Sequence, residues 1–331
     1  QRLPEIKSLG VDTIWVSPFF RSPMKDFGYD VTDHCSVDPL FGTLENAKEL
    51  IKSAHQQGLK ILIDLVISHT SDQHPWFKES RLSQHNDKSD HYVWADPLPD
   101  GSPPTNWLSI FGGSAWQWDT RRCQYYLHNF LTSQPDLNFH NPQVQEGVLK
   151  VVDFWLELGV DGFRLDTVNF YYHDQQLRNN PPASVRDQMS AHETNPYGWQ
   201  DHIFDKNQPE VIDFIEQLRA RLDCFDDRIS LGEIGESPVR SLDLLVNYTA
   251  PGRLHLCYSF DLLSSFGDAP YWREVINRFE QKAQLSGQNS WPCWAFSNHD
   301  VTRAASRLCP EGGDIQRSGS LLMALLLSLR G

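Results

Sequence analysis

No run of about 20 apolar residues occurs in the 331-residue chain; the nearest approach, 321–329, is too short for a membrane span and reads as a buried helix. Metal-type cysteine spacing is missing too. The six cysteines (Cys35, Cys123, Cys224, Cys257, Cys293 and Cys309) are scattered, with no C-x-x-C pair, and are expected to be free thiols of a reducing cytoplasm. There is no glycine-rich first turn of the dinucleotide-binding kind, and no compact Asp-x-Asp-x-Asp loop for a hard cation. Positive charge is scarce: the net charge is -14, which disfavours nucleic acid and anionic membranes and suits neutral or cationic small ligands. Internal repeats and low-complexity tracts are absent as well.

What is present is ordinary globular composition, 40% hydrophobic and 22% charged, in a length that fits one large α/β barrel or two smaller domains. The 11 tryptophans offer flat apolar rings that suit sugar faces and core packing alike. The chain opens at Gln1 rather than Met, inside a helical pattern, so a natural N-terminus is expected upstream.

Short apolar runs alternate with amphipathic segments, the pattern of βαβ units on a parallel sheet. Strands are expected at 13–17, 60–68, 162–165, 229–233, 255–260 and 293–297. Helices are expected after a Thr43 cap, after Asn141-Pro142, and near 210–222, 239–246, 271–283 and 315–327. Residues 70–139 are too long and too rich in Pro, Asp, Ser and Trp for a connection, so they are expected to form an inserted subdomain, with the barrel in 1–69 and 140–331. A second long polar loop covers 167–205.

Polar residues gather at the ends of these strands: Asp64 with His69, Arg164 with Asp166, Glu233, and His299 with Asp300. Convergence of such groups on one mouth is the habit of a (β/α)8 barrel rather than of a doubly wound sheet. Arg164 and Asp166 stand two apart on a strand and share a face; a guanidinium there keeps a nucleophilic carboxylate ionised, although the spacing is also that of a plain ion pair. Glu233 at the end of an apolar strand is a proton-donor candidate, because desolvation and a nearby carboxylate both raise its affinity for a proton; a loop-start glutamate is the alternative, and Glu236 is a rival by type. His299 and Asp300 can hold adjacent sugar hydroxyls or form an Asx turn, and His69 is either a sugar contact or a satisfied core histidine.

Taken in order, the stretches 64–69 (DLVISH), 162–166 (GFRLD), 232–233 (GE) and 297–300 (SNHD) resemble the four signatures of the α-amylase superfamily, glycoside hydrolase family 13. Residues 22–29 (SPMKDFGY), 111–116 (FGGSAW) and 134–138 (QPDLN) are similar to its α-glucosidase and oligo-1,6-glucosidase branch. The likeness runs over essentially the whole chain. It implies a (β/α)8 TIM barrel, truncated here at both ends, with the inserted subdomain after the third barrel strand. The first strand would lie upstream of Gln1 and the last would begin near 329–331. Such an open barrel, made alone, is expected to be insoluble or inactive.

The resemblance further implies Asp166 as nucleophile, Glu233 as acid/base and Asp300 as transition-state stabiliser. Asp64, His69, Arg164 and His299 would line the glucose subsite. Asp26 and Tyr29 would close its far end, making the enzyme exo-acting, and Thr167 beside the nucleophile resembles α-1,4-preferring members. Phe111 and Phe130 would flank the aglycone side or belong to the core. Ser68 stands where α-amylases carry a calcium-binding asparagine, so no cofactor and no metal are expected, save a divalent cation in an absent N-terminal segment. The partner implied is a small oligosaccharide or α-glucoside. A transglucosidase or sucrose isomerase on the same scaffold remains open. A non-catalytic relative of the transporter heavy chains is disfavoured by the three carboxylates and the missing membrane helix.

Overall fold

The computed structural model describes residues 2–187, 191–263, 268–287 and 290–330, and only the backbone of Val239. The elements follow in chain order: α1 Leu3–Ser8, β1 Thr13–Val16, β2 Phe20–Arg21, β3 Asp33–Val37, α2 Leu44–Gln56, β4 Lys60–Leu65, α3 Pro75–Ser80, β5 Trp94–Ala95, β6 Trp116–Asp119, β7 Gln124–Leu127, α4 Pro142–Glu157, β8 Gly162–Leu165, α5 Val211–Leu222, β9 Ile229–Ile234, α6 Pro238–Tyr248, β10 Leu256–Ser259, α7 Ala269–Ser286, α8 Ala304–Arg307 and α9 Ile315–Ser328. No helix among the described residues is long and apolar enough to cross a membrane.

Five strands, in the order β1-β4-β8-β9-β10, form one parallel sheet, and helices connect them on its outer side, as in a (β/α)8 barrel. Local chemistry sets the helix starts. Thr43 and Asn46 make a reciprocal capping box that opens α2, and Asn141 caps α4 with Pro142 at its first position. The apolar face of α4, including Val144, Val148, Val152 and Trp155, then packs against Ile61, Ile63, Phe163 and Leu165 in one continuous core.

One expected strand fails to form. Around 293–297 only a bridge between Cys257 and Pro292 and a bond from the Cys293 N–H to the Cys257 carbonyl (3.1 Å) remain. A strand is stabilised by neighbours on both edges, and this segment has one among the described residues. Leu329 caps α9 with an extended backbone (φ -86°, ψ 154°), and Gly331 lies outside the described residues. Several other strands come out shorter than expected: 60–68 ends at Leu65, and the Val66 carbonyl turns to His34 (2.8 Å).

Residues 70–139 hold α3 and a small antiparallel sheet, β5-β7-β6. That sheet has its own apolar cluster of Val93, Ala95, Trp107, Ala115, Trp116 and Leu127, with Leu177 and Phe204 packed on it from the second long loop. The two long loops therefore support each other. The Asn106 side chain donates to the Asn180 carbonyl (2.8 Å) and accepts from the Asn180 N–H (2.9 Å), and Trp107 Nε1 donates to the Arg178 carbonyl (2.8 Å).

Gly162 opens β8 with φ +152°, and a Cβ placed there would stand 1.8 Å from the Ile229 carbonyl oxygen of β9. The glycine lets the strand bearing Arg164 lie against its neighbour. Gly162→Ala is expected to lower stability by about 3 kcal/mol or more, measured as loss of cooperative thermal unfolding or of soluble yield.

Candidate active site

The parallel register places the site. Asp64 of β4 lies beside Arg164 of β8, Arg164 beside Leu231 of β9, and Glu233, two residues further on, beside Tyr258 of β10. With a side-chain period of two, all four polar groups face the same side, at the C-terminal strand ends.

Arg164 is the hub, 1% exposed. Its Nη1 donates to Asp64 (2.9 and 3.1 Å) and to Asp166 Oδ1 (2.6 Å), while Nη2 pairs with Glu233 Oε1. Nε and Nη2 also donate to the Tyr258 hydroxyl (3.3 and 3.0 Å), which donates in turn to Glu233 Oε1 (2.6 Å). The guanidinium lies over the rings of Trp15 (5.0 Å) and Tyr29 (5.9 Å).

Three buried carboxylates thus face one cation. Burial pushes Asp166 well above the usual carboxylate range; Arg164 opposes this, while Glu233 and Asp64 add to it. Asp64 is raised in the same way, by burial first and against the pull of Arg164. Arg164 stays charged far beyond its ordinary range, because the surrounding carboxylates outweigh its own desolvation.

Thr167 follows the nucleophile candidate in a left-handed conformation (φ +41°), which a β-branched residue seldom adopts. Its N–H donates to Glu233 Oε2 (3.3 Å), and its hydroxyl meets Asp166 Oδ2 (3.4 Å) and Ser68 Oγ (3.1 Å). The strained turn thereby ties both candidate carboxylates together.

One wall is the loop 22–30, wound round the buried Asp30. The Ser22 hydroxyl (2.8 Å) and the Lys25 and Asp26 N–H groups (both 3.1 Å) converge on that carboxylate. Gly28 (φ +106°) turns the loop where a Cβ would press on the Pro18 carbonyl at 3.0 Å. The Asp26 carboxylate accepts from Gln134 Nε2 (2.8 Å) and is raised by partial burial despite that bond. Tyr29 donates to Asp64 (2.9 Å), and its ring stacks on His299 at 5.3 Å.

Three residues expected to touch sugar are tightly packed in this structure. Asp64, His69 and Arg164 are at most 1% exposed, and their polar atoms are already engaged within the chain. His69 Nε2 meets the Tyr29 carbonyl (3.0 Å) and Gln134 (3.2 Å), and burial lowers the imidazole pKa to about 4, so the ring is neutral at pH 7. Asp300 stands at the rim, 60% exposed, 3.4 Å from His299 Nε2, its N–H closing an Asx turn on Asn298 (3.0 Å). Its carboxyl is raised by partial burial and by the charge of Glu233, and lowered by His299. Phe130 packs on His69 (5.1 Å), and the exposed Phe111 meets Phe130 edge-on (5.8 Å).

Glu236, the rival acid, lies elsewhere. It is buried against Lys206 (3.3 Å), Arg240 (3.6 Å) and Asn207; burial alone would raise it, but these cations hold it below the usual range. Sequence reasoning assigned no role to Tyr258, Gln134 or Asp30. Tyr258 had a usable signal, since an aromatic near the end of the next strand falls opposite Glu233 once that pair is in parallel register.

A parallel sheet of barrel type, with carboxylates grouped round an arginine at its strand ends, is the arrangement of a (β/α)8-barrel catalytic domain. The chain belongs to the α-amylase family: the model for the alpha amylase catalytic domain matches residues 1–331. It is 56% identical over 334 residues to a probable alpha-glucosidase of Rhizobium meliloti (strain 1021), covering 100% of this chain and 60% of the relative. It is 35% identical over 344 residues to the oligo-1,6-glucosidase of Parageobacillus thermoglucosidasius, covering 100% and 58%. Its structure matches that of the α-glucosyl transfer enzyme XgtA with a TM-score of 0.96 and 52% identity, over 100% of this chain and 61% of that one. It matches the trehalulose synthase MutB of Pseudomonas mesoacidophila MX-45 at 0.81 and 31%, over 92% and 54%. The chain therefore spans about three-fifths of the curated relatives' length.

The surplus of carboxylates has a thermodynamic signature. A carboxyl raised above its unfolded value near 3.8 keeps in the native state a proton that the unfolded chain gives up, so stability falls as pH rises through that interval. Asp166→Asn removes this penalty and leaves Arg164 two partners. Thermal unfolding should show the variant stabilised by on the order of 1 kcal/mol at pH 7, with the gain shrinking towards pH 4.

Proposed function

We propose that this chain is the catalytic part of a retaining, exo-acting α-glucosidase that releases glucose from the non-reducing end of short α-glucosides, α-1,4 links preferred. The observation that carries the reading is the shared grip of Arg164 on Asp166 and Glu233 at neighbouring strand ends. Two carboxylates on one guanidinium suit the close spacing of a retaining pair, about 5–5.5 Å, better than the wider gap that admits a water.

In the first half-reaction a proton passes from Glu233 to the glycosidic oxygen as an Asp166 oxygen bonds to the anomeric carbon and the old bond breaks. In the second, a water gives its proton to Glu233 while its oxygen displaces Asp166. Nothing in this sequence of steps calls for a cofactor. Asp300 at the rim is assigned to a hydroxyl of the distorting ring. Asp26, held by Gln134, and Tyr29, stacked on His299, are assigned to the closed end that makes the enzyme exo-acting. The strained Thr167 faces the incoming aglycone and is assigned the linkage preference. The free cysteines suit a cytoplasmic setting.

Transfer to a second sugar in place of water is the alternative, favoured by the likeness to XgtA. Anomer-resolved NMR on the full-length protein with maltose should show α-glucose first; β-glucose first would overturn retention. Asp166→Ala should cost at least about 10⁴-fold in kcat. Parallel assays on maltose and isomaltose should favour maltose, and Thr167→Val should shrink that preference by about tenfold, worth on the order of 1.4 kcal/mol. A dominant trisaccharide product would shift the reading to transfer.

A further inference from the structure

We propose that Tyr258 is a positioning residue that commits the catalytic proton of Glu233 to one oxygen, Oε2. The inference deepens the α-glucosidase reading above and rests on it.

The two oxygens of Glu233 stand in different surroundings. Oε1 accepts the short bond from the Tyr258 hydroxyl (2.6 Å) and pairs with Arg164 Nη2. Among the described residues, Oε2 accepts only the longer bond from the Thr167 N–H (3.3 Å). A proton on Oε1 would face a guanidinium and a phenolic hydrogen, both donors, and would repel both. On Oε2 it displaces one weak contact.

The direction of the Tyr258 bond is itself fixed. Arg164 can only donate, and it does so twice to the Tyr258 oxygen (3.3 and 3.0 Å), so the phenolic hydrogen is left to point at Glu233. Burial, reinforced by the charge of Glu233, keeps the phenol protonated far beyond its ordinary range, so it stays a donor throughout the working pH range. The strand register holds it there, with Tyr258 directly beside Glu233 on the neighbouring parallel strand.

The consequence for the reaction is an asymmetric acid. When the proton leaves Oε2 for the glycosidic oxygen, the charge left on the carboxylate is shared towards Oε1, where Arg164 and Tyr258 meet it. When the water attacks the glucosyl-enzyme, its proton returns to Oε2. Tyr258 therefore stabilises the deprotonated acid while leaving the protonated oxygen free to act.

Tyr258→Phe in the full-length protein tests this, with folding checked by thermal unfolding. Two substrates divide the outcomes: maltose, whose leaving group needs the proton, and α-glucosyl fluoride, whose leaving group does not. The variant should lose about tenfold in kcat/KM on maltose and less than about twofold on the fluoride. A carboxylate that loses a donor holds its proton to higher pH, so the alkaline limb of the maltose profile should move up by about one pH unit. Equal losses on both substrates, or an unmoved limb, would mean a structural role only and would overturn the proposal. Independently of any variant, a neutron structure of the parent below its alkaline limb should show deuterium on Glu233 Oε2; deuterium on Oε1 would refute the assignment. A parent inactive on both substrates would instead overturn the α-glucosidase reading, and the proposal with it.

Discussion

The rest of the site depends on a single guanidinium. Arg164 reaches Asp64, Asp166 and Glu233 from a position closed to solvent. Remove it, and three negative groups would share a dry pocket with no compensation, at a cost of several kcal/mol. Its own place follows from backbone events: the Gly162 approach to β9, the β4–β8 register, and the Trp15 and Tyr29 rings it lies over.

Around that hub the architecture separates two tasks. The sheet sets distances between charged groups, because parallel register admits no adjustment smaller than a residue. The loops set the shape of the mouth. The 22–30 loop is organised by Asp30, the two long loops clasp each other through Asn106 and Asn180, and Gln134 joins the inserted segment to Asp26. The tasks meet at Thr167, a β-branched residue whose left-handed backbone aims an N–H at one carboxylate and a hydroxyl at the other.

Much of this was legible in the order of residues. Strand-end polar groups, the Thr43 and Asn141 caps and the apolar periodicity are local signals, and they located five strands and the site-bearing ends. The segment 293–297 looked like a strand because its composition is that of one, yet pairing needs partners that composition does not supply. Asp64 and His69 looked like ligand contacts because polar residues at strand ends usually face the mouth; that Tyr29 and Gln134 would also bond them was not legible, since those partners are distant in sequence. Tyr258 passed unnoticed for the opposite reason, since a tyrosine in an apolar strand reads as core until its neighbour across the sheet is known.

The unequal count of charges round Arg164 also says what kind of ligand the site favours. A site with more carboxylates than cations is preorganised for positive charge, and on the reading proposed above this is where a sugar ring would acquire oxocarbenium character. That imbalance is a standing repulsion, and an arriving cationic centre relieves it. An amine-bearing sugar mimic bound as its cation would loosen the hold of Asp166 and Asp64 on their protons, so its binding should release protons where binding of neutral glucose does not.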